Sequence, residues 1–245
     1  MFATRSAARA VIVPALILLA LAAAGCGSDW DQVLRPPRAD VSGIQVVAVF
    51  PFASWTSDPS LARTLTDQVY KVVRDSGWYA TVISPEEVES ELVRRRIDPR
   101  DVTGGSIARE VAAALGADGF IAGVAAYYFE DVYLGQPYVR QTDQPSVGTP
   151  WSVRQHTRVT VGLQGQMANV HTGLVVHRWE GTRTGEVTEV RDLLWSSTDP
   201  PPQSALPTPH RRHVPEARDK AVERVVEAFA ADILPYYEWV RRESE

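Results

Sequence analysis

Two stretches of this chain, residues 44–52 (IQVVAVFPF) and 117–129 (ADGFIAGVAAYYF), are apolar at almost every consecutive position. A strand that alternates apolar and polar residues hides one face; a strand without that alternation has to be covered on both. Such strands belong inside a sheet with helices on either side. The segments between and after them supply those helices. Asp58-Pro59 offers an N-cap and a proline for the first helical turn. Leu61, Leu65, Val69, Val72 and Val73 then form one stripe at helical spacing, and Gly77 closes the helix.

Residues 78–83 read as a second strand, and Ser84-Pro85-Glu86-Glu87 fits a capping box. The helix that follows is expected to turn Val88, Leu92 and Val93 inward. It ends on Arg94-Arg95-Arg96, cations suited to the negative end of the helix dipole. A short helix over residues 106–115 carries Ile107, Val111 and Leu115 and stops at Gly116. Residues 158–170 alternate, Thr172-Gly173 turns, and residues 174–179 return, which is a β-hairpin. The proline-dense run 199–209 (DPPPQSALPTP) has to be a loop. A last helix over residues 215–234 sets Val222, Val225, Val226, Phe229 and Ile233 on one side before Pro235. This order predicts an α/β fold, an α+β sandwich with a mixed sheet of about five strands flanked by about four helices. It would be a single domain over residues 41–245, with loop insertions at 130–152 and 196–214.

The first residues have a different character. Arg5 and Arg9 precede an apolar run over residues 10–24 that ends on small side chains, the three-part layout of a secretory signal peptide covering residues 1–25. The run is short of the roughly 20 residues needed to cross a bilayer as a helix, and Pro14 interrupts it. Ala23-Ala24-Gly25-Cys26 resembles the lipobox of bacterial lipoproteins, in which the cysteine is lipidated and becomes the new N-terminus. Cys26 is the one cysteine in the chain. An exported thiol without a disulfide partner needs another use, and diacylglycerol and palmitate attachment at Cys26 supplies it; the alternative is ordinary signal cleavage with a free thiol. Gly27 stands where inner-membrane retention signals carry Asp. The resemblance therefore implies the outer membrane of a Gram-negative cell, with the protein facing the periplasm. Residues 27–40, polar and containing Pro36-Pro37, read as a tether with no helical or strand period, so that 26–40 would be lipidated N-terminus and linker. Fully extended it spans at most about 50 Å.

Removing residues 1–25 takes away Arg5 and Arg9 and no acid, so the net charge of −5 becomes −7. Nucleic-acid binding relies on clustered cations, and here the basic residues are dispersed among acids. No nucleic acid is expected as a partner.

The element order and three motifs resemble the periplasmic α/β domain shared by the curli-export lipoprotein CsgG, the penicillin-binding-protein activator LpoB and the N-terminal domain of TolB, an anticodon-binding-domain-like fold. The motifs are the opening strand Val46-Val47-Ala48-Val49-Phe50-Pro51-Phe52, the passage Ala114-Leu115-Gly116-Ala117-Asp118-Gly119-Phe120-Ile121-Ala122-Gly123, and the turn Asn169-Val170-His171-Thr172-Gly173. Two departures are Asn169, where Asp is usual, and Trp179, two residues beyond the usual aromatic. The resemblance implies scaffolding and protein contact and brings no shared catalytic residues.

A search for chemistry finds no phosphate-binding glycine loop, no dinucleotide fingerprint and no nucleophile elbow. His210-Arg211-Arg212-His213 has a spacing known from metal sites, but two arginines between the imidazoles would repel a dication. Glu86, Glu87, Glu89 and Glu91 read as a solvated helix face. No catalytic residue, cofactor or metal is assigned. The aromatic residues Tyr127, Tyr128, Phe129, Tyr133, Tyr138 and Trp151 are a candidate interface, although core or loop packing is the competing reading. The expectation is a non-enzymatic outer-membrane lipoprotein, held by lipid on Cys26, that docks another envelope protein. Alternatives are an oligomer of itself, as in a CsgG-like export channel, and an LpoB-like activator of a cell-wall synthase; the short tether counts against the latter.

Overall fold

The computed structural model describes residues 30–140, 151–195 and 197–241. These fall into two units, and the larger, residues 36–235, holds the α/β fold. Its elements are β2 (Val46–Val49), β3 (Ala53–Ser54), α1 (Pro59–Asp75), β4 (Thr81–Ile83), α2 (Pro85–Arg94), α3 (Gly105–Ala114), β5 (Gly119–Leu134), β6 (Tyr138–Val139), β7 (Trp151–Asn169), β8 (Val175–Asp192) and α4 (Val214–Ala230). The seven strands fill five lanes. β4 and β5 lie parallel to β2 on its two sides, and β3 continues β2 along β5. β7 runs antiparallel to β5 and to β8. β6 pairs with the first residues of β7, on the edge that β5 takes further along. The expected mixed sheet of α/β class is the observed one.

Consecutive apolar residues in β2 divide between two cores, as their lack of alternation requires. Val47 and Val49 face α1 and α4, packing with Leu61, Leu65, Val69, Val225 and Phe229. Ala48 and Phe50 face α2 and α3, packing with Val88, Leu92, Ala108 and Val111. Each fully buried Leu or Val contributes roughly 1.5–3 kcal/mol. The helix starts follow from local chemistry. Asp58 caps α1 by accepting from the Ser60 N–H, with Pro59 in the first turn. Ser84 and Glu87 form the reciprocal capping box of α2.

Asp118 ties the two central strands at their entry. One carboxylate oxygen accepts the N–H groups of Gln45 (3.1 Å) and Val46 (2.9 Å), and the other meets His171 Nε2 at 3.1 Å. In the β7–β8 turn, Asn169 Oδ1 accepts from the Thr172 N–H at 2.9 Å, the bond that Asp would make, and Gly173 takes φ +72°.

Several expectations need correction. Val93 is 67% exposed and Ile107 also faces solvent; Ala108 and Ala112 take the inward places on α3. The strand read as ending at Phe129 continues as β5 to Leu134, and the hairpin strands extend to Trp151 and Asp192. Their outer halves carry charged and polar side chains, which obscures the strand signal. The last helix stops at Ala230, and Ile233 packs from the turn beyond it. Most at odds with the sequence reading is the tether. Residues Trp30–Arg35 form β1, paired antiparallel with β9 (Tyr236–Arg241) in a two-stranded sheet of the smaller unit, with Arg35 Nε donating to Glu238 at 2.8 Å. A strand of six residues shows no period by itself, and its partner lies some two hundred residues away.

Candidate docking face

α4 lies across one face of β7 and β8, against Val159, Val161, Leu163 and Met167. The approach is close enough that a Cβ on Gly185 would strike the Ala217 carbonyl, and one on Gly165 would lie 2.7 Å from the Phe229 ring. On the opposite face α2 and α3 reach only the first part of β5 and the end of β7, at Phe120, Ala122 and Ala168. Beyond them no helix among the described residues covers the sheet. Cross-strand rungs define what is displayed there: Tyr127–Gly162–Thr182, Phe129–Thr160–Thr184, Asp131–Arg158–Glu186 and Tyr133–His156–Thr188.

A β-bulge decides which aromatic residues reach this face. Ala125 pairs with Leu163 and Tyr127 with Gly162, so β5 holds one extra residue at Ala126. Before it, even-numbered residues face α2 and α3; after it, odd-numbered ones share that side. Tyr127 and Phe129 therefore project onto the open face, 46% and 53% exposed, and Val190 joins them at 45%. Most of the polar groups between the rings are already paired. Thr160 and Thr184 hydroxyls bond at 2.9 Å, while Glu186 takes His156 Nδ1 at 2.9 Å and Arg158 Nε at 3.2 Å. These bonds hold the Glu186 carboxyl below its ordinary range, His156 first and Arg158 second. Tyr133 stacks on the His156 ring at 5.0 Å, with the Arg158 guanidinium 5.4 Å from its own centroid. What remains available for a partner is apolar ring surface.

Of the six candidate interface residues, Tyr127, Phe129 and Tyr133 share this face on β5, and Tyr138 on β6 continues it with Arg154 5.1 Å from its ring. Tyr128 points to the α4 side, where its hydroxyl donates to Glu130. Trp151 is buried, its Nε1–H donating to the Ser197 carbonyl at 3.1 Å. Those two pack the fold. Cys26 lies outside the described residues. Sequence reading passed over Trp55, 65% exposed, and Val190; both stand alone among polar neighbours, so no periodic signal marks them.

The histidine pair is also placed. His210 and His213 each bring Nε2 toward one Glu189 oxygen, at 3.1 and 3.3 Å. Arg212 occupies the middle: it pairs with Glu189, and its Nε–H donates to His213 Nε2 at 3.1 Å. A guanidinium thus holds the imidazole lone pair that a metal would need. Buried Gln155 fastens the loop by donating to the His210 carbonyl at 2.8 Å and accepting its N–H at 3.1 Å. Among the described residues no group of three or more His, Cys, Asp or Glu side chains could hold a metal ion. Arg94 and Arg95 both bond to Glu91, which is buried at the helix end and not on the solvated face expected for it. No described helix is long and apolar enough to cross a membrane.

No protein-family model and no curated protein matches this sequence. Among solved structures, lipoprotein GNA1162 from Neisseria meningitidis is similar at 12% identity and a TM-score of 0.41, over 58% of this chain and 83% of that one. The LpoB C-terminal domain from Salmonella enterica is similar at 18% identity and a TM-score of 0.38, over 59% and 86%. PelC from Paraburkholderia phytofirmans, a dodecamer, is similar at 15% identity and a TM-score of 0.35, over 82% and 97%. The fold assignment rests on the strand order and helix placement of the chain itself.

Proposed function

We propose that this chain is a non-catalytic lipoprotein of the bacterial envelope, anchored through lipid on Cys26 to the periplasmic side of the outer membrane, that docks a second envelope protein on its open sheet face. The observation that carries the reading is that face: three long strands packed by α1 and α4 on one side and bare on the other, with Tyr127 and Phe129 half exposed. Because Glu186, His156, Arg158 and the Thr160 and Thr184 hydroxyls are bonded to one another, contact at the two rings is chiefly apolar. The partner accordingly presents an apolar patch. The leader and the Cys26 motif support a shared membrane surface for the two proteins.

The test is affinity capture after mild crosslinking in cells, with wild type, Tyr127→Ser/Phe129→Ser and Cys26→Ala compared at equal abundance. The expected result is one enriched envelope protein, lost in the face variant and reduced in the anchor variant. Recovery that is equal in wild type and face variant refutes docking at this face. Recovery of the chain itself as the dominant product gives a self-assembling protein instead, and recovery of a cell-wall synthase identifies an activator.

A further inference from the structure

Where the covered part of the sheet gives way to the open face, a cavity of about 760 Å³ is formed, inside the range of roughly 300–1,000 Å³ usual for ligand sites. Its floor is apolar: Phe120, Ala122 and Val124 line it and are themselves buried. Trp55 stands at the rim, largely exposed. The remaining walls carry Arg109 from α3 and Arg178 from β8.

These two arginines differ from most of the others described. Arg94, Arg95, Arg158, Arg212 and Arg218 each sit on a carboxylate. Arg109 and Arg178 have no hydrogen bond or ion pair among the described residues. The cavity's one carboxylate, Glu180, accepts from Gln164 Nε2 at 2.9 Å, leaving a net positive lining. Arg109 is seated by the β7–β8 turn: a Cβ on Gly173 would come within 2.6 Å of its Nη1. The start of α3 opens on the same space. Its N-cap is Gly104, which offers no side-chain acceptor, so the first N–H groups of the helix lack a side-chain cap. Gln166 closes over Gly104 and donates to the Thr103 carbonyl at 3.4 Å. Cationic forks and uncapped helix amides favour an anion, while the floor and Trp55 favour an apolar or flat body.

We infer that this cavity binds a small organic anion, its carboxylate or phosphate taken by Arg109 and Arg178 and its flat body laid against Trp55 and the apolar floor. The inference does not depend on a protein partner, and its test uses none. Isothermal titration of the detergent-solubilised full chain with phenyl phosphate, benzoate, benzamide and inorganic phosphate reads it directly. The two aromatic anions bind at one per chain and neutral benzamide does not. Arg109→Gln and Arg178→Gln each weaken the anions by about tenfold or more, and Trp55→Ala weakens the aromatic anions without altering inorganic phosphate. All three changes are at surface positions, and thermal melting of each variant establishes that it is folded. Absence of binding by both aromatic anions, benzamide binding as well as benzoate, or affinities unmoved by both arginine variants would overturn the inference. Inorganic phosphate binding as tightly as phenyl phosphate would overturn the part concerning the flat body.

Discussion

Single residues in this protein hold strands together as much as they fill the core, and Asp118 is the plainest case. Its carboxylate fastens the Gln45 and Val46 N–H groups at the entrance of β2 and meets His171 from the β7–β8 turn. His171 above all, with the Val46 N–H next, draws the Asp118 carboxyl below its ordinary range. A carboxyl depressed in the folded state adds stability at neutral pH; that contribution is lost as the pH falls below the unfolded value of roughly 3.9 toward the folded one. Asp118→Ala leaves two backbone donors without their partner and lowers stability by about 1–3 kcal/mol. Asp118→Asn costs less, because one oxygen remains, and flattens the acid limb of the stability curve. Urea denaturation at pH 7 and below pH 4 checks both. The passage that holds Asp118 stood out in the sequence through its resemblance to a family motif; that its partners are Gln45, Val46 and His171 is a tertiary fact.

At the scale of elements, the contact between α4 and β8 is close because Gly185 has no side chain. A Cβ there would collide with the Ala217 carbonyl and approach the Ala221 nitrogen to 2.7 Å. Gly185→Ala therefore pushes the helix off its strand and destabilises by about 1–3 kcal/mol, seen as a lower midpoint in thermal melting, while Gly181→Ala meets only the edge of the Trp179 ring and costs less. The same scale separates what can be read in advance from what cannot. α1 and α2 were legible because Asp58, Ser84 and Glu87 act within a few residues of themselves. The β7–β8 turn was legible from Asn169 and Gly173, yet the lengths of its strands were not, since Arg154, Gln155 and His156 look like loop residues until a neighbouring strand pairs them. The bulge at Ala126 was hidden because the residues on either side of it are all apolar or aromatic, so a change of face leaves no mark. β1 and β9 need each other, and neither announces the other across the chain.

For the whole molecule, the proposed function depends on anchoring at Cys26 and on which side of the sheet is bare. Anchoring at Cys26 predicts that Cys26→Ala moves the protein from the membrane pellet to the soluble periplasmic fraction without altering its melting temperature, because residues 36–235 hold the α/β core. A variant that stays in the pellet would argue for attachment by another route. The bare side follows from an uneven distribution of cover: α1, α4 and the loop at residues 208–212 serve one face, whereas α2 and α3 serve only the beginning of the other. A row of aromatic rings on such a face, with Glu186 already engaged by His156 and Arg158, is surface suited to contact with another protein.

That claim is tested most directly by photo-crosslinking in living cells, with a photoreactive amino acid placed at Phe129 on the open face or at Glu223 on the exposed side of α4. Docking at the face predicts a discrete adduct of one size from Phe129 and none from Glu223. Equal adducts from both positions, or none from Phe129 at normal abundance in the membrane, would contradict it.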